Sequence, residues 1–410
     1  MIPLTPIKLL DSYDEILIKL AGGNCQRKCK AIIPTFDHPK FLRHANVTAT
    51  MSMSVDGQEA VNFSSNDYLG LAADQRLKDA AMNAINQYGA SSSASRLISG
   101  TGPLVIELEK RIAQFKQAEA ALVFNSGYQA NVSILPAILQ PGDWVFCDRL
   151  NHASLVDGCQ LSGARWTRYR HLDLQNLESR LQKAPPAARK WIVTDTAFSM
   201  DGDYPDLNEL VDIAERHDAL IMVDEAHATG LYGDERSSGL CEQFGVSHRI
   251  ALQMGTFSKA LGGFGAYVAG PQVLIDTLIN RARGFIYSTA LPPAVLGAAL
   301  AALQVVQTDQ TPKIRLWENV RQFEELAQTA GLAHRVPLPL KSPIIPVLIG
   351  NSAETMRVSQ ALLDAGYFVQ AIRPPTVPAE TARLRIALSA AHTPEQIAGL
   401  VSALQVCLTD

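Results

Sequence analysis

Six short apolar runs, separated by helical patterns between residues 75 and 290, constrain this chain more than any other feature. They are Ala120-Ala-Leu-Val-Phe124, Trp144-Val-Phe146, Trp191-Ile-Val-Thr194, Ala219-Leu-Ile-Met-Val223, Ile250-Ala-Leu-Gln-Met254 and Ala266-Tyr-Val-Ala269. A strand covered on both faces shows such a run in place of polar alternation, and the intervening helices supply the cover. The pattern predicts an α/β fold with a mostly parallel sheet. Such sheets bind ligands beyond the carboxyl ends of their strands, so the residues after each run are where chemistry is to be sought.

A chain of 410 residues exceeds one ordinary core. It divides into an N-terminal arm (1–60), a large α/β domain (61–308) and a smaller α+β domain (309–410). The arm holds a helical segment, Ile7 to Leu20, and leads into a strand-like stretch around Val61-Asn-Phe63. The last domain carries a long helix after Pro312, a strand over Ser342 to Gly350, a helix from about Ala353 to Ala365, two strands ending at Ser389 and a helix starting near Pro394.

Five of the runs are followed by residues that can do chemistry. After the fourth comes Asp224-Glu-Ala-His227, and after the fifth comes Thr256-Phe-Ser-Lys259, leading into Ala-Leu-Gly-Gly-Phe-Gly265. A lysine paired with a carboxylate at neighbouring strand ends suits a carbonyl cofactor: the amine binds the aldehyde and the acid keeps a ring nitrogen protonated. Pyridoxal 5'-phosphate also needs a phosphate cup. Asn125-Ser-Gly127-Tyr128 passes from strand to helix, where the backbone NH groups of Gly127 and Tyr128 can face an anion, and Thr256 and Ser258 add hydroxyls. His152, in Asn151-His-Ala-Ser154, offers a flat ring for stacking, while Ser199 and His227 can reach a ring hydroxyl. Singly, Asp224 could cap a helix and either histidine could be a loop residue. Their joint occurrence at successive strand ends favours the cofactor site. A dinucleotide is not expected, because the glycine pattern fails at Val268.

Composition narrows the partners. The formal charge is -4, and no block of like charge forms, which gives no footprint for nucleic acid. The apolar stretch Pro293 to Val306 is too short for a bilayer, which takes about 20 residues. The start of the chain mixes Asp11, Asp14 and Glu15 among its apolar residues, unlike a signal peptide, and six scattered cysteines form no disulfide framework. A cytoplasmic protein that uses no membrane is expected. Cys25 and Cys29 have the spacing of half a zinc site, but no second pair follows, so no metal is expected.

These residues resemble the α-oxoamine synthase family of pyridoxal phosphate enzymes, of fold type I (aspartate aminotransferase-like). The likeness runs from about Asn62 to His392 and rests on Asn62-Phe-Ser-Ser-Asn-Asp-Tyr-Leu-Gly-Leu71, Ser95-Arg-Leu-Ile-Ser-Gly100, Phe198-Ser-Met-Asp-Gly-Asp203, Asp224-Glu-Ala-His-Ala-Thr-Gly230 and Thr256-Phe-Ser-Lys-Ala-Leu-Gly262. Ala371-Ile-Arg-Pro-Pro-Thr-Val-Pro378, with Thr381-Ala-Arg-Leu-Arg385, is most similar to members that condense L-alanine with a pimeloyl thioester, carried on CoA or acyl carrier protein, with loss of carbon dioxide. The resemblance implies an acyltransferase and a homodimer, with Lys259, Asp224 and His152 catalytic. It further implies that Arg385 binds the substrate carboxylate, with Arg373, Thr376 and Asn66 beside the substrate. A sister synthase using glycine or serine, or a subunit that keeps the fold without turnover, are the competing readings. Two stretches depart from the family pattern: Gly89-Ala-Ser-Ser-Ser-Ala94, usually richer in glycine, and Glu380, usually glycine.

Overall fold

The computed structural model describes residues 51–409, together with Ile18 and residues 32–34. The helix expected over Ile7 to Leu20, apart from Ile18, and the pair Cys25 and Cys29 lie outside the described residues. In chain order the strands are β1 (Ile32–Pro34), β2 (Ser52–Val55), β3 (Gln58–Asn62), β4 (Ala120–Phe124), β5 (Trp144–Asp148), β6 (Arg165–Tyr169), β7 (Lys190–Asp195), β8 (Ala219–Asp224), β9 (Leu252–Thr256), β10 (Ala266–Gly270), β11 (Ile344–Gly350), β12 (Tyr367–Phe368), β13 (Gln370–Ile372) and β14 (Ala382–Ala387). The described residues separate into two compact units, one formed by residues 66–318 and 389–391, the other by the remaining described residues.

The larger unit is built on a seven-stranded sheet of order β4-β10-β9-β8-β7-β5-β6. β5 through β9 pair in parallel, while β10 runs antiparallel to β4 and β9. All six runs become strands, and a seventh, β6, was not anticipated. Its Arg-Trp-Thr-Arg-Tyr sequence lies at the sheet edge and is buried only at Tyr169, so it lacks a continuous apolar signature. β9 begins two residues later than its apolar run, at Leu252, and extends through Gly255 and Thr256. One face of the sheet packs Met222, Leu252 and Val268 against Ile134 and Leu135 of helix Gly127–Ile138 and Leu155 of helix Ala153–Leu161, all essentially inaccessible to water. Each such side chain stabilises the fold by about 1.5–3 kcal/mol.

The smaller unit holds an antiparallel sheet, β11-β14-β13, and a second sheet, β1-β2-β3-β12. Helices Ser352–Asp364 and Pro394–Thr409 lie within it. Two expected boundaries move. Residues 52–62 are not a separate arm: β3 pairs in parallel with β12 through Val61↔Tyr367, and Met53, Val55 and Ala60 bury against Leu363 and Phe368. The larger unit runs past the expected Thr308 to Glu318, inside helix Thr311–Thr329.

Candidate active site

Strands β4, β5, β7, β8 and β9 end at Phe124, Asp148, Asp195, Asp224 and Thr256. Asp195 pairs with Asp224, and Asp224 with Met254; reversed β10 places Ala266 against both Thr256 and Phe124. Those registers bring the five strand ends to one edge of the sheet. Gly127, Tyr128, His152, Ser199, His227, Ser258 and Lys259 all follow these ends within a few residues.

Asp224 is buried, and its acceptors are met by neutral groups. Oδ1 accepts from the Ala226 NH at 2.9 Å and Oδ2 from Asn131 Nδ2 at 2.8 Å. The same Asn131 amide donates to Ser154 Oγ at 2.9 Å, and that hydroxyl lies 2.7 Å from His152 Nδ1. His152 caps helix Ala153–Leu161, with its own NH on Asp195 Oδ2 at 2.8 Å. A hydrogen-bonded chain thus joins the acid at one strand end to the imidazole at another. Desolvation lowers the His152 pKa, the Asp224 charge opposes that shift, and the Lys259 ammonium adds to it. Burial, then repulsion from Asp224, pushes Asp195 well above the usual carboxylate range, while Lys259 pulls it down. Lys259 thus contributes to the charge environment of both His152 and Asp195.

Lys259 is half-buried in the turn after β9. Its carbonyl accepts from the Gly262 NH at 2.9 Å. Gly262 has φ 62°, and a Cβ there would stand 2.5 Å from the backbone of Leu71 and Ala72, so this turn requires glycine. Two residues before Lys259, the buried Thr256 hydroxyl lies 2.5 Å from that of exposed Ser258 and accepts from the Ser258 NH at 2.8 Å. Ser126 caps helix Gly127–Ile138 by accepting from Gln129 NH at 3.2 Å, which leaves the Gly127 and Tyr128 NH groups at the helix start. The Tyr128 hydroxyl donates to Asp157 Oδ2 at 2.6 Å, so its backbone is the group available to an anion.

His227 Nδ1 lies 2.7 Å from the hydroxyl of fully buried Tyr68, which also donates to Asn66 Oδ1 at 3.2 Å. Asn66, expected beside substrate, is therefore tied to the His227 network. Tyr68 and Asn131 were not singled out in the sequence. Asn131 could have been, since it stands one helical turn beyond Gly127 and so follows the same face of the helix; Tyr68 gives no local signal.

The aminotransferase class I and II sequence model matches residues 58–404. An 8-amino-7-oxononanoate synthase of Geobacter sulfurreducens is 50% identical over 85% of this chain and 89% of its own length, and one from Anaeromyxobacter dehalogenans is 49% identical over 87% and 89%. The chain belongs to the aminotransferase class I and II family. Among solved structures, a serine palmitoyltransferase from S. paucimobilis with bound PLP superimposes with TM-score 0.88 at 28% identity, over 98% of both chains. An 8-amino-7-oxononanoate synthase from Francisella tularensis gives TM-score 0.73 at 29% identity, over 85% and 98%. Within the family the chain is a fold-type I acyltransferase dependent on pyridoxal phosphate. Its residues fit that cofactor: a buried acid held by neutral donors, a lysine at the next strand end, and an exposed hydroxyl beside a helix N-terminus match the ring nitrogen, the aldehyde and the phosphate.

The smaller unit carries the other predicted residues of this family member. Buried Arg385 lies in β14, opposite Pro346 of β11 and Gln370 of β13. Arg373 follows β13, and the Thr376 NH donates to its carbonyl at 3.1 Å, so the three share one sheet and its adjoining turn. Both departures from the family's glycines fall at left-handed backbone: Ser93 has φ 55° and Glu380 φ 59°. Each costs about 1–2 kcal/mol relative to an ordinary conformation. Around Ser93 the turn is pinned by side chains instead, its NH on Ser91 Oγ at 3.0 Å and Ser92 Oγ on the Leu291 carbonyl at 2.7 Å. Ser91 and Ser92 line a cavity of about 220 Å³ with Tyr88, Leu104 and Leu296.

Proposed function

We propose that this chain condenses L-alanine with a pimeloyl thioester, on CoA or acyl carrier protein, releasing carbon dioxide and the free thiol and forming 8-amino-7-oxononanoate, a step of biotin biosynthesis. The convergence of Lys259, Asp224 and His152 on one sheet edge carries this reading, and the relatives at about 50% identity support the choice of substrates. Bound pyridoxal phosphate supplies an electrophilic carbonyl and a ring that accepts electrons. Lys259 would hold that carbonyl, and its amine, when free, is the base that could accept the α-proton of the amino acid. Asp224 holds a proton on the ring nitrogen, its carboxylate kept in place by Asn131 and Ala226. His152, oriented through Ser154, would stack on the ring, and Ser199 and His227, the latter steadied by Tyr68, would hold the ring hydroxyl. Gly127, Tyr128, Thr256 and Ser258 receive the phosphate. The planar fork of Arg385 would grip the alanine carboxylate, with Arg373 near that arginine and Thr376 near the acyl substrate, and Asn66 is a further substrate-binding residue.

The protein acts as a homodimer in the cytoplasm. Leu97, Ile98 and Tyr287 flank the Ser95–Thr289 bridge at 50%, 82% and 71% exposure, an apolar surface that a second copy would cover. Among the described residues no helix is long and apolar enough to cross a membrane. The test is a matrix of alanine, glycine and serine against pimeloyl, acetyl and palmitoyl thioesters, following thiol release. Alanine with the pimeloyl thioester should exceed every other pair. A maximum for serine with palmitoyl would transfer the chain to the sister synthases, and no thiol release from any pair would leave a non-catalytic subunit.

A further inference from the structure

His171, in the loop after β6, bridges Asp148 at the end of β5 and Asp203 in the loop after β7. Its Nδ1 lies 2.9 Å from Asp148 Oδ1 and its Nε2 3.0 Å from Asp203 Oδ2. Ionised carboxylates only accept, so both ring nitrogens must carry protons and the side chain is an imidazolium. Burial works against that charge, but the hydrogen bonds and charges of Asp148 and Asp203 outweigh it and raise the pKa to about 10. The Phe198 and His171 rings pack edge to face, their centroids 4.4 Å apart and their planes at 86°. Among neighbouring charges, Arg170 pairs with Asp173 at 2.6 Å rather than with this bridge.

Each acid governs a loop of the site. Asp148 Oδ1 accepts from the Leu150 NH at 2.8 Å and its Oδ2 from the Leu172 NH at 2.9 Å, fixing the start of the segment that ends at His152. The far end of that segment is held by Asp195 through the His152 NH. Asp203 closes the turn bearing Ser199: its carbonyl accepts from the Phe198 NH, and the Phe198 carbonyl accepts from the Gly202 NH, both at 2.9 Å. Asp203 Oδ1 is buried without a hydrogen-bond partner, so His171 is the contact the structure gives that carboxylate's side chain.

We propose that His171 is a positioning residue: by clasping Asp148 and Asp203 it holds the Ser199 turn in register with the His152 loop, and so sets how the cofactor ring is seated. This rests on the reading that His152 and Ser199 face the cofactor. The test uses the full-length protein reconstituted with pyridoxal phosphate, comparing wild type, His171→Gln, Asp203→Asn and the double variant. Each single variant should weaken cofactor binding about tenfold and shift its visible absorption band, and the double should add little, since the charge pairing of His171 with Asp203 is lost in every case. The bridge is complete below the ordinary histidine pKa and is lost as pH rises through about 10. The gap in affinity between wild type and His171→Gln should therefore be present at pH 8 and close above pH 10. Cofactor affinity and spectrum within twofold of wild type, with only a lowered melting temperature, would reduce His171 to a structural role. If His171→Gln does not fold, Asp203→Asn, at a partly exposed side chain, decides the matter alone. Wild-type protein that takes up no pyridoxal phosphate would instead overturn the site assignment.

Discussion

Asp224 and Glu225 are consecutive, both buried, and opposite in fate. Glu225 is fully enclosed with Lys116: Nζ to Oε2 is 2.5 Å, Nζ also donates to the Ser238 carbonyl at 2.5 Å, and Oε1 accepts from the Cys241 NH at 2.9 Å. Burial alone would deprotonate Lys116, but the attraction of Glu225 overrides it and holds the pKa above its ordinary value. Gly239, at φ 143°, is part of the same fit, since a Cβ there would stand 2.5 Å from Glu225 Oε1. Asp224 instead meets an amide and a backbone NH. A charge matched by a cation within the chain is completed structure. One held by neutral donors keeps its field for a ligand, and neighbouring residues at a strand end can take these two parts because their side chains leave on opposite faces.

The contrast can be broken at either residue. Lys116→Met leaves Glu225 buried and uncompensated and should cost about 3–5 kcal/mol of stability, read from urea unfolding of the cofactor-free protein. A loss below about 1 kcal/mol would mean that the pair is not the closed unit described. Asp224→Asn should reverse the balance, weakening transition-state stabilisation by about 2–5 kcal/mol in kcat/KM while changing urea stability by only about 1 kcal/mol. Equal losses in both measurements would erase the distinction between the two acids. The smallest effect is expected from Lys116→Met/Glu225→Met. Removing both charges for apolar side chains of similar volume should return stability to the wild-type value or above, and a double variant as unstable as Lys116→Met would show that the polar contacts to Ser238 and Cys241 matter more than charge balance.

Local pattern determined much of this protein. The apolar runs marked six strands of the large sheet, and the short motifs after them placed Lys259, Asp224, His152 and His227 at strand ends, because strand burial and turn chemistry are written in adjacent residues. Edge strand β6 escaped for the converse reason: its polar residues serve solvent rather than core.

Only the tertiary structure decided who supports whom. Tyr68 meets His227 across 159 positions, Asn131 meets Asp224 across 93, and Lys116 meets Glu225 across 109. The joining of residues 52–62 to the smaller unit is of the same kind. No local periodicity encodes such pairs. They exist because folding excludes water from each group, after which a polar atom must find a partner wherever in the chain the fold supplies one.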